Sequence, residues 1–124
     1  MVYRFDNIKI LIVDDEELIR EILAEAFMLY GAVVDLAESG NDALTKVNNN
    51  KYDMIITDIR MPNGDGFHLL ENIKKMPEPH PKLFVCSAYN DLSPARIKEL
   101  GITKIFTKPF ELSKLLSAVA SFSA

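Results

Sequence analysis

Short, uninterrupted apolar runs punctuate the chain, and each is followed by a segment whose apolar positions recur at helical spacing. Lys9–Val13 (KILIV) is the first run, and it ends abruptly in Asp14-Asp15-Glu16-Glu17. A continuous apolar run reads as a strand buried on both faces, which is the signature of a parallel sheet. The acids then open a helix, where negative charge suits the N-terminal end of the dipole. Ile19, Ile22, Leu23, Ala26 and Tyr30 give this helix an apolar face, and Gly31 is its stop.

The pattern then repeats. Residues 32–37 (AVVDLA) predict a second strand, and residues 41–47 a second helix that closes in Asn48-Asn49-Asn50. Residues 53–57 (DMIIT) predict a third strand, residues 62–66 a turn, and residues 67–75 a third helix. Pro77, Pro79 and Pro81 make a stiff connector that excludes helix. Residues 82–86 (KLFVC) predict a fourth strand. Pro94–Leu100 is a fourth helix, with Pro94 in its first turn and Gly101 after it. Lys104–Thr107 is a short fifth strand, and residues 111–122 a last helix. The apolar stripe Leu112, Leu115, Leu116, Val119 and Phe122 reads as that helix's core face. The expected fold is therefore α/β, a doubly wound (βα)5 unit with a five-stranded parallel sheet. The flavodoxin-like strand order 2-1-3-4-5 fits best.

Composition narrows the reading. A chain of 124 residues with 48% apolar content fits one domain, here residues 1–124, and is too apolar for disorder. With 18 Asp+Glu against 14 Lys+Arg, the formal net charge is −4, which argues against direct nucleic-acid binding. No apolar run approaches the length a membrane span needs, and Arg4, Asp6 and Lys9 make the start unlike a signal peptide. Cys86, the lone cysteine, cannot make an internal disulfide, so a reducing cytoplasm is the expected compartment, and it reads as a sheet-packing residue. The charge is uneven: residues 1–66 hold 13 acids and 6 bases, residues 67–124 only 5 acids and 8 bases.

Three of the acids in the first half stand at strand ends. All strand C-termini of a parallel sheet lie on one edge, and ligands bind there, at the point where strand order reverses. In the order 2-1-3-4-5 that point lies between strands 1 and 3. Strand 1 ends in Asp14 and Asp15, strand 3 in Asp58, strand 4 in Ser87 and strand 5 in Lys108. Carboxylates sharing one crevice need a proton or a cation between them. Hard oxygen ligands without a nearby His or Cys favour Mg²⁺, with Mn²⁺ or Ca²⁺ as alternatives. Lys108 adds a point positive charge and Ser87 a hydroxyl donor. Metal, ammonium, hydroxyl and a nucleophilic carboxylate together suit the receipt of a phosphoryl group, with Asp58 as acceptor. His68 and His80 read as surface residues, so the phosphoryl donor is another molecule. Competing motifs fail: Gly64-Asp-Gly66 lacks the third glycine of a dinucleotide fingerprint, and no phosphate-binding G-x-x-x-x-G-K-[ST] loop is present.

Four motifs in order, Ile10–Glu17 (ILIVDDEE), Asp58–Gly66 (DIRMPNGDG), Cys86-Ser87-Ala88 and Thr107-Lys108-Pro109-Phe110, resemble the receiver domain of two-component response regulators. The resemblance covers essentially the whole chain. It implies that Asp15 binds Mg²⁺ directly, Asp14 mainly through water, and that Asp58 is both phosphoacceptor and metal ligand. It also implies a ligand from the Arg60 backbone carbonyl, phosphoryl contacts from Ser87 and Lys108, and a cis Lys108–Pro109 peptide. The implied partners are a histidine kinase or histidine phosphotransfer protein and a downstream effector. The effector would be met on the face of helix 4, strand 5 and helix 5, by a monomer or a phosphorylation-dependent dimer. Such a domain is a switch rather than a turnover enzyme.

One position departs from the family pattern. The aromatic residue usual three positions before the lysine is Ile105 here, and Phe106, one residue later, falls on the opposite face of the strand. Arg60 and Tyr89, beside the site, are expected to tune phosphoryl lifetime. The alternatives are an unphosphorylated protein-interaction module of the same fold, a Mg²⁺-dependent aspartyl-phosphate phosphatase, and a flavin-binding relative. The phosphatase reading meets Arg60 where an acid is usual. The flavin reading meets an acidic loop after strand 1.

Overall fold

The computed structural model describes residues 3–88 and 92–123, so Tyr89 lies outside the described residues. Among these residues five strands, β1 (Lys9–Val13), β2 (Val33–Ala37), β3 (Met54–Asp58), β4 (Lys82–Ser87) and β5 (Lys104–Thr107), alternate with five helices. The helices are α1 (Glu17–Leu29), α2 (Gly40–Asn49), α3 (Gly66–Lys74), α4 (Pro94–Leu100) and α5 (Leu112–Ser123). The strands form one sheet in the order β2-β1-β3-β4-β5, and every neighbouring pair is parallel.

Alternation along the strands divides the core in two. Ile10 and Ile12 of β1, Met54 and Ile56 of β3, Phe84 and Cys86 of β4, and Phe106 of β5 pack with α1 and α5. Leu11 and Val13, Ile55, and Leu83 and Val85 point the other way, onto Ala43, Leu69, Leu70, Ile73 and Leu100. Each fully buried side chain of this size contributes roughly 1.5–3 kcal/mol, which is why the central strands read as unbroken apolar runs. His68 and His80 are exposed and Cys86 is buried in the sheet, as expected. Leu115, Leu116 and Val119 of the α5 stripe are buried.

Local chemistry sets the boundaries, and several differ from expectation by a residue or more. Ser39 caps α2 by accepting from the Asp42 N–H at 3.0 Å, so the helix starts at Gly40 and runs on to Asn49. Asp65 caps α3 by accepting from the His68 N–H at 3.0 Å, which starts that helix at Gly66. Ser93 does the same for α4 through the Arg96 N–H at 3.1 Å. Ala32 is not in β2, because its N–H closes the end of α1 on the Phe27 carbonyl. Asp53 precedes β3 and its carboxylate accepts from the Lys9 N–H at 2.8 Å, whereas Asp58 and Ser87 belong to the ends of β3 and β4, a residue beyond the expected stops. Helix α5 starts at Leu112 and ends at Ser123.

The expected face of α1 needs correction. Leu23, Ala24 and Phe27 are the buried residues, whereas Ile22 is 44% exposed. Ile22 lies one turn after Leu18, and both sit on the flank of the helix that turns away from the sheet. Phe5, ahead of the first strand, was not anticipated as core. It is fully buried against Phe27, with ring centroids 5.1 Å apart.

Candidate functional site

The C-terminal edge of the sheet collects the polar residues singled out in the sequence. Asp14 directly follows β1, Asp58 ends β3, Ser87 ends β4 and Lys108 follows β5. Asp14, Asp58 and Ser87 are all buried, at 3%, 8% and 4% exposure, while Asp15 is exposed. The Asp14, Asp15 and Asp58 carboxylates each place an oxygen within 4.8 Å of the others. The Lys108 ammonium donates to Asp58 Oδ2 at 2.8 Å and stands 3.7 Å from Asp14 Oδ2.

Main-chain groups fix these side chains. The Asp14 N–H continues the ladder to the Ala37 carbonyl at 3.2 Å, and Asp14 Oδ1 accepts from the Glu16 N–H at 2.9 Å. The carboxylate thus ties down the turn ahead of α1 and does not cap the helix, whose N-cap Glu16 makes no side-chain capping bond. The Asp14 carbonyl accepts from Arg20 Nη1 at 2.7 Å. Asp58 Oδ1 accepts from the Ile59 N–H at 2.7 Å, leaving Oδ2 to face Lys108. The Lys108 N–H donates to the Ser87 carbonyl at 2.8 Å, which sets the lysine beside the end of β4. The Lys108–Pro109 peptide is cis, as the resemblance implies.

The segment after β3 returns tightly. The Gly66 N–H donates to the Ile59 carbonyl at 2.8 Å. A Cβ on Gly66 would stand 2.4 Å from the Asp58 carbonyl oxygen, so only glycine fits there. Asn63 and Gly64 both adopt positive φ, 58° and 93°, in the predicted turn. The Gly40 N–H at the start of α2 bonds the Gly64 carbonyl at 2.7 Å and braces this loop from the side.

Electrostatics follow from crowding. Burial, reinforced by Asp58 and Asp15, raises the Asp14 carboxyl above its ordinary 3.8, although the Glu16 N–H and Lys108 pull it down. Burial works to lower the Lys108 ammonium, but the hydrogen bond and charge of Asp58 and the charge of Asp14 outweigh it and leave it raised. Lys108 is thus held as a cation. Burial pushes the Cys86 thiol up to about 12, so it is an inert packing group. The three carboxylates are positioned to bind a metal ion. An all-oxygen set beside a cation that offsets only part of its charge fits Mg²⁺.

Arg60, two residues after Asp58, is exposed between the buried Ile59 and Met61. Ile105 is packed with the cluster that holds Leu92 and Ile97, whereas Phe106 lies across the sheet with Phe84. The two side chains therefore take opposite faces, as the strand period requires. The sequence reading missed Arg20, Gly40 and Gly66. Arg20 alone left a trace, as a cation in the first turns of a helix where the dipole disfavours one. Beside Lys108, an apolar groove of about 460 Å³ is lined by Ile19, Ile22, Leu23, Pro109, Phe110 and Leu112.

Comparison with known proteins supports the same reading. The chain is 34% identical over 117 residues to sporulation initiation phosphotransferase F of Bacillus subtilis, covering 94% of each protein. It is 35% identical over 112 residues to the regulator of RpoS of Escherichia coli, where 90% of this chain matches 33% of that protein. The solved structure of response regulator TrrA from Thermotoga maritima, in complex with Mg²⁺–BeF, superposes with a TM-score of 0.79 at 32% identity. That likeness covers 92% of this chain and 97% of the other. Residues 10–120 match the family model described as the response regulator receiver domain. Strand order, the acidic cluster facing Lys108 and this match across nearly the whole chain lead to one conclusion: the protein belongs to the response regulator receiver domain family.

Proposed function

We propose that this receiver takes a phosphoryl group from the phosphohistidine of a histidine kinase or phosphotransfer protein onto Asp58, and that Lys108 and Ser87 hold its oxygens. The arrangement that carries the reading is the Lys108 ammonium at 2.8 Å from Asp58 Oδ2, inside a cluster of three carboxylates. One acceptor oxygen is restrained by the Ile59 N–H, so Asp58 presents Oδ2 to an incoming group. The Asp58 O–P bond forms as the donor's N–P bond breaks, and the departing imidazole nitrogen keeps the electron pair. Asp14, Asp15, Asp58 and the Arg60 carbonyl would hold Mg²⁺. Bound there, Mg²⁺ neutralises phosphoryl charge. Lys108 follows the charge to the phosphoryl oxygens, and Ser87, buried at the end of β4, donates its hydroxyl.

The groove between α1 and Phe110 opens beside Lys108, and Ile22, which lines it, is left exposed. It suits an apolar segment of the donor. Output through α4, β5 and α5, as a monomer or a phosphorylation-dependent dimer in the cytoplasm, completes the proposal. Among the described residues no helix is long and apolar enough to cross a membrane.

The test is intact-protein mass after incubation with Mg²⁺ and a small acyl-phosphate donor. The expected result is a single phosphoryl adduct that requires Mg²⁺ and is absent from Asp58→Ala. An adduct that persists in that variant would place the acceptor elsewhere. No adduct at all, with Mg²⁺ binding confirmed, would favour an unphosphorylated interaction module.

A further inference from the structure

We propose that Arg20 is a positioning residue for the metal site, acting through the peptide unit that joins Asp14 to Asp15. The inference rests on the reading of the three carboxylates as Mg²⁺ ligands. Arg20 is the fourth residue of α1, and its side chain turns back over the start of the helix. Nη1 donates to the Asp14 main-chain carbonyl at 2.7 Å. Its target is a backbone oxygen, not a carboxylate of the acidic cluster. A cation this close to a helix N-terminus is opposed by the dipole, so helix formation gives no reason for it.

The geometry gives one. A peptide unit is planar, so fixing the Asp14 carbonyl also fixes the plane that leads into Asp15. Asp14 needs little further help, because its N–H is in the β2 ladder and its Oδ1 holds the Glu16 N–H. Asp15 is exposed, and where it points depends on the backbone of this turn. Arg20 therefore aims Asp15 at the space that Asp14 and Asp58 already face. Groups that orient metal ligands in this indirect way typically carry about 10–100-fold in metal affinity.

A charge effect would act in the opposite direction. If Arg20 mattered only as a cation near the cluster, neutralising it would make the site more negative and tighten Mg²⁺. If it only satisfied a carbonyl, its loss would lower thermal stability and leave Mg²⁺ affinity alone.

The experiment is a Mg²⁺ titration followed by backbone-amide NMR, on wild type, Arg20→Met, Arg20→Lys and, as a ligand control, Asp15→Asn. Thermal unfolding is measured alongside. Arg20→Met should bind Mg²⁺ about tenfold more weakly, with the Glu16 amide displaced in the metal-free spectrum. Arg20→Lys keeps the charge and a donor, and should recover most of that loss. In acyl-phosphate reactions Arg20→Met should need more Mg²⁺ for half-maximal rate yet reach the wild-type rate at saturation. Should Arg20→Met fail to fold, Arg20→Gln, whose side chain is two bonds shorter and loses the Asp14 carbonyl contact, takes its place: weaker Mg²⁺ binding with the Glu16 amide displaced supports the tether, and wild-type affinity with that amide displaced overturns it. Unchanged or tighter binding by Arg20→Met overturns the proposal. Wild type that binds no Mg²⁺ overturns the metal reading itself, and with it this one.

Discussion

Gly66 offers a sharp test of how the acceptor strand is held. Its φ is not in the left-handed region, so glycine is required there for space alone. A methyl group would meet the Asp58 carbonyl oxygen at 2.4 Å, the Ile59 Cα at 2.8 Å and Ile59 Cδ1 at 3.1 Å. The first two are backbone atoms of the acceptor segment, and no rotamer change relieves them. In Gly66→Ala, α3 or the Asp58 carbonyl must yield by about an ångström to restore normal contact. Such overpacking costs about 1–3 kcal/mol. At this chain length that is a fall in Tm of roughly 3–15 °C. A displacement of about 1 Å at the reacting group is also enough to slow transfer by up to about 100-fold. Gly101→Ala is the control. Gly101 has φ +68° and, among the described residues, nothing within 4 Å of an added Cβ, and it ends α4 away from Asp58. That variant should lose about 1–2 kcal/mol from backbone strain alone and phosphorylate at the wild-type rate. Thermal unfolding and the acyl-phosphate time course read both effects. Gly66→Ala with wild-type Tm and rate would refute the close approach. Equal rate losses in both variants would refute the claim that position, not stability, controls transfer.

Three further outcomes follow from the electrostatics of the site. The Asp14 carboxyl is raised, so its ionised form destabilises the fold: the folded state holds its proton to higher pH than the unfolded chain, and stability falls as pH rises through that window. In EDTA, Asp14→Asn should raise Tm at pH 7, and the gain should shrink toward pH 4; a lower Tm at pH 7 would contradict this. Lys108→Met should move two readouts in opposite directions, because the ammonium both offsets the carboxylates and faces Asp58 Oδ2. Mg²⁺ should bind about threefold or more tightly while acyl-phosphate labelling falls, whereas general damage to the site would weaken both. The Cys86 thiol is buried and pushed up to about 12. It should resist iodoacetamide at pH 8 in the folded protein and react fully in denaturant, and rapid labelling of the native state would show that β4 opens.

The chain's fold was legible because both of its periodicities are strong. β1 and β3 are buried along nearly their whole length, so their apolar runs could not be mistaken for half-exposed strands. Gly31 and Gly101 stand at helix ends with positive φ, where turn chemistry leaves little choice. The site was legible for a topological reason. Once the order 2-1-3-4-5 is accepted, residues at strand ends must converge, and Asp14, Asp15, Asp58, Ser87 and Lys108 occupy those ends. Ile105 and Phe106 take opposite faces on sequence grounds alone, because the strand period is fixed at two.

What stayed hidden depends on distances that no period encodes. Periodicity says that α1 has an apolar face but not where the sheet meets it, and so Ile22 was placed inward and Phe27 overlooked. Phe5 lies before the first strand, outside any repeating pattern, yet it fills the space beside Phe27. Gly66 reads as an ordinary turn glycine, and only the 2.4 Å approach to Asp58 separates it from the unencumbered Gly101. Arg20 is the instructive case. Its residue type conflicts with its place near a helix N-terminus, and such a conflict between local preference and sequence is where function tends to show. The conflict marks the residue but not its partner, because the Asp14 carbonyl carries no sequence signal of its own. A sequence names the groups that do chemistry by their type, whereas the groups that aim them use main-chain atoms common to every residue, and those are found only in three dimensions.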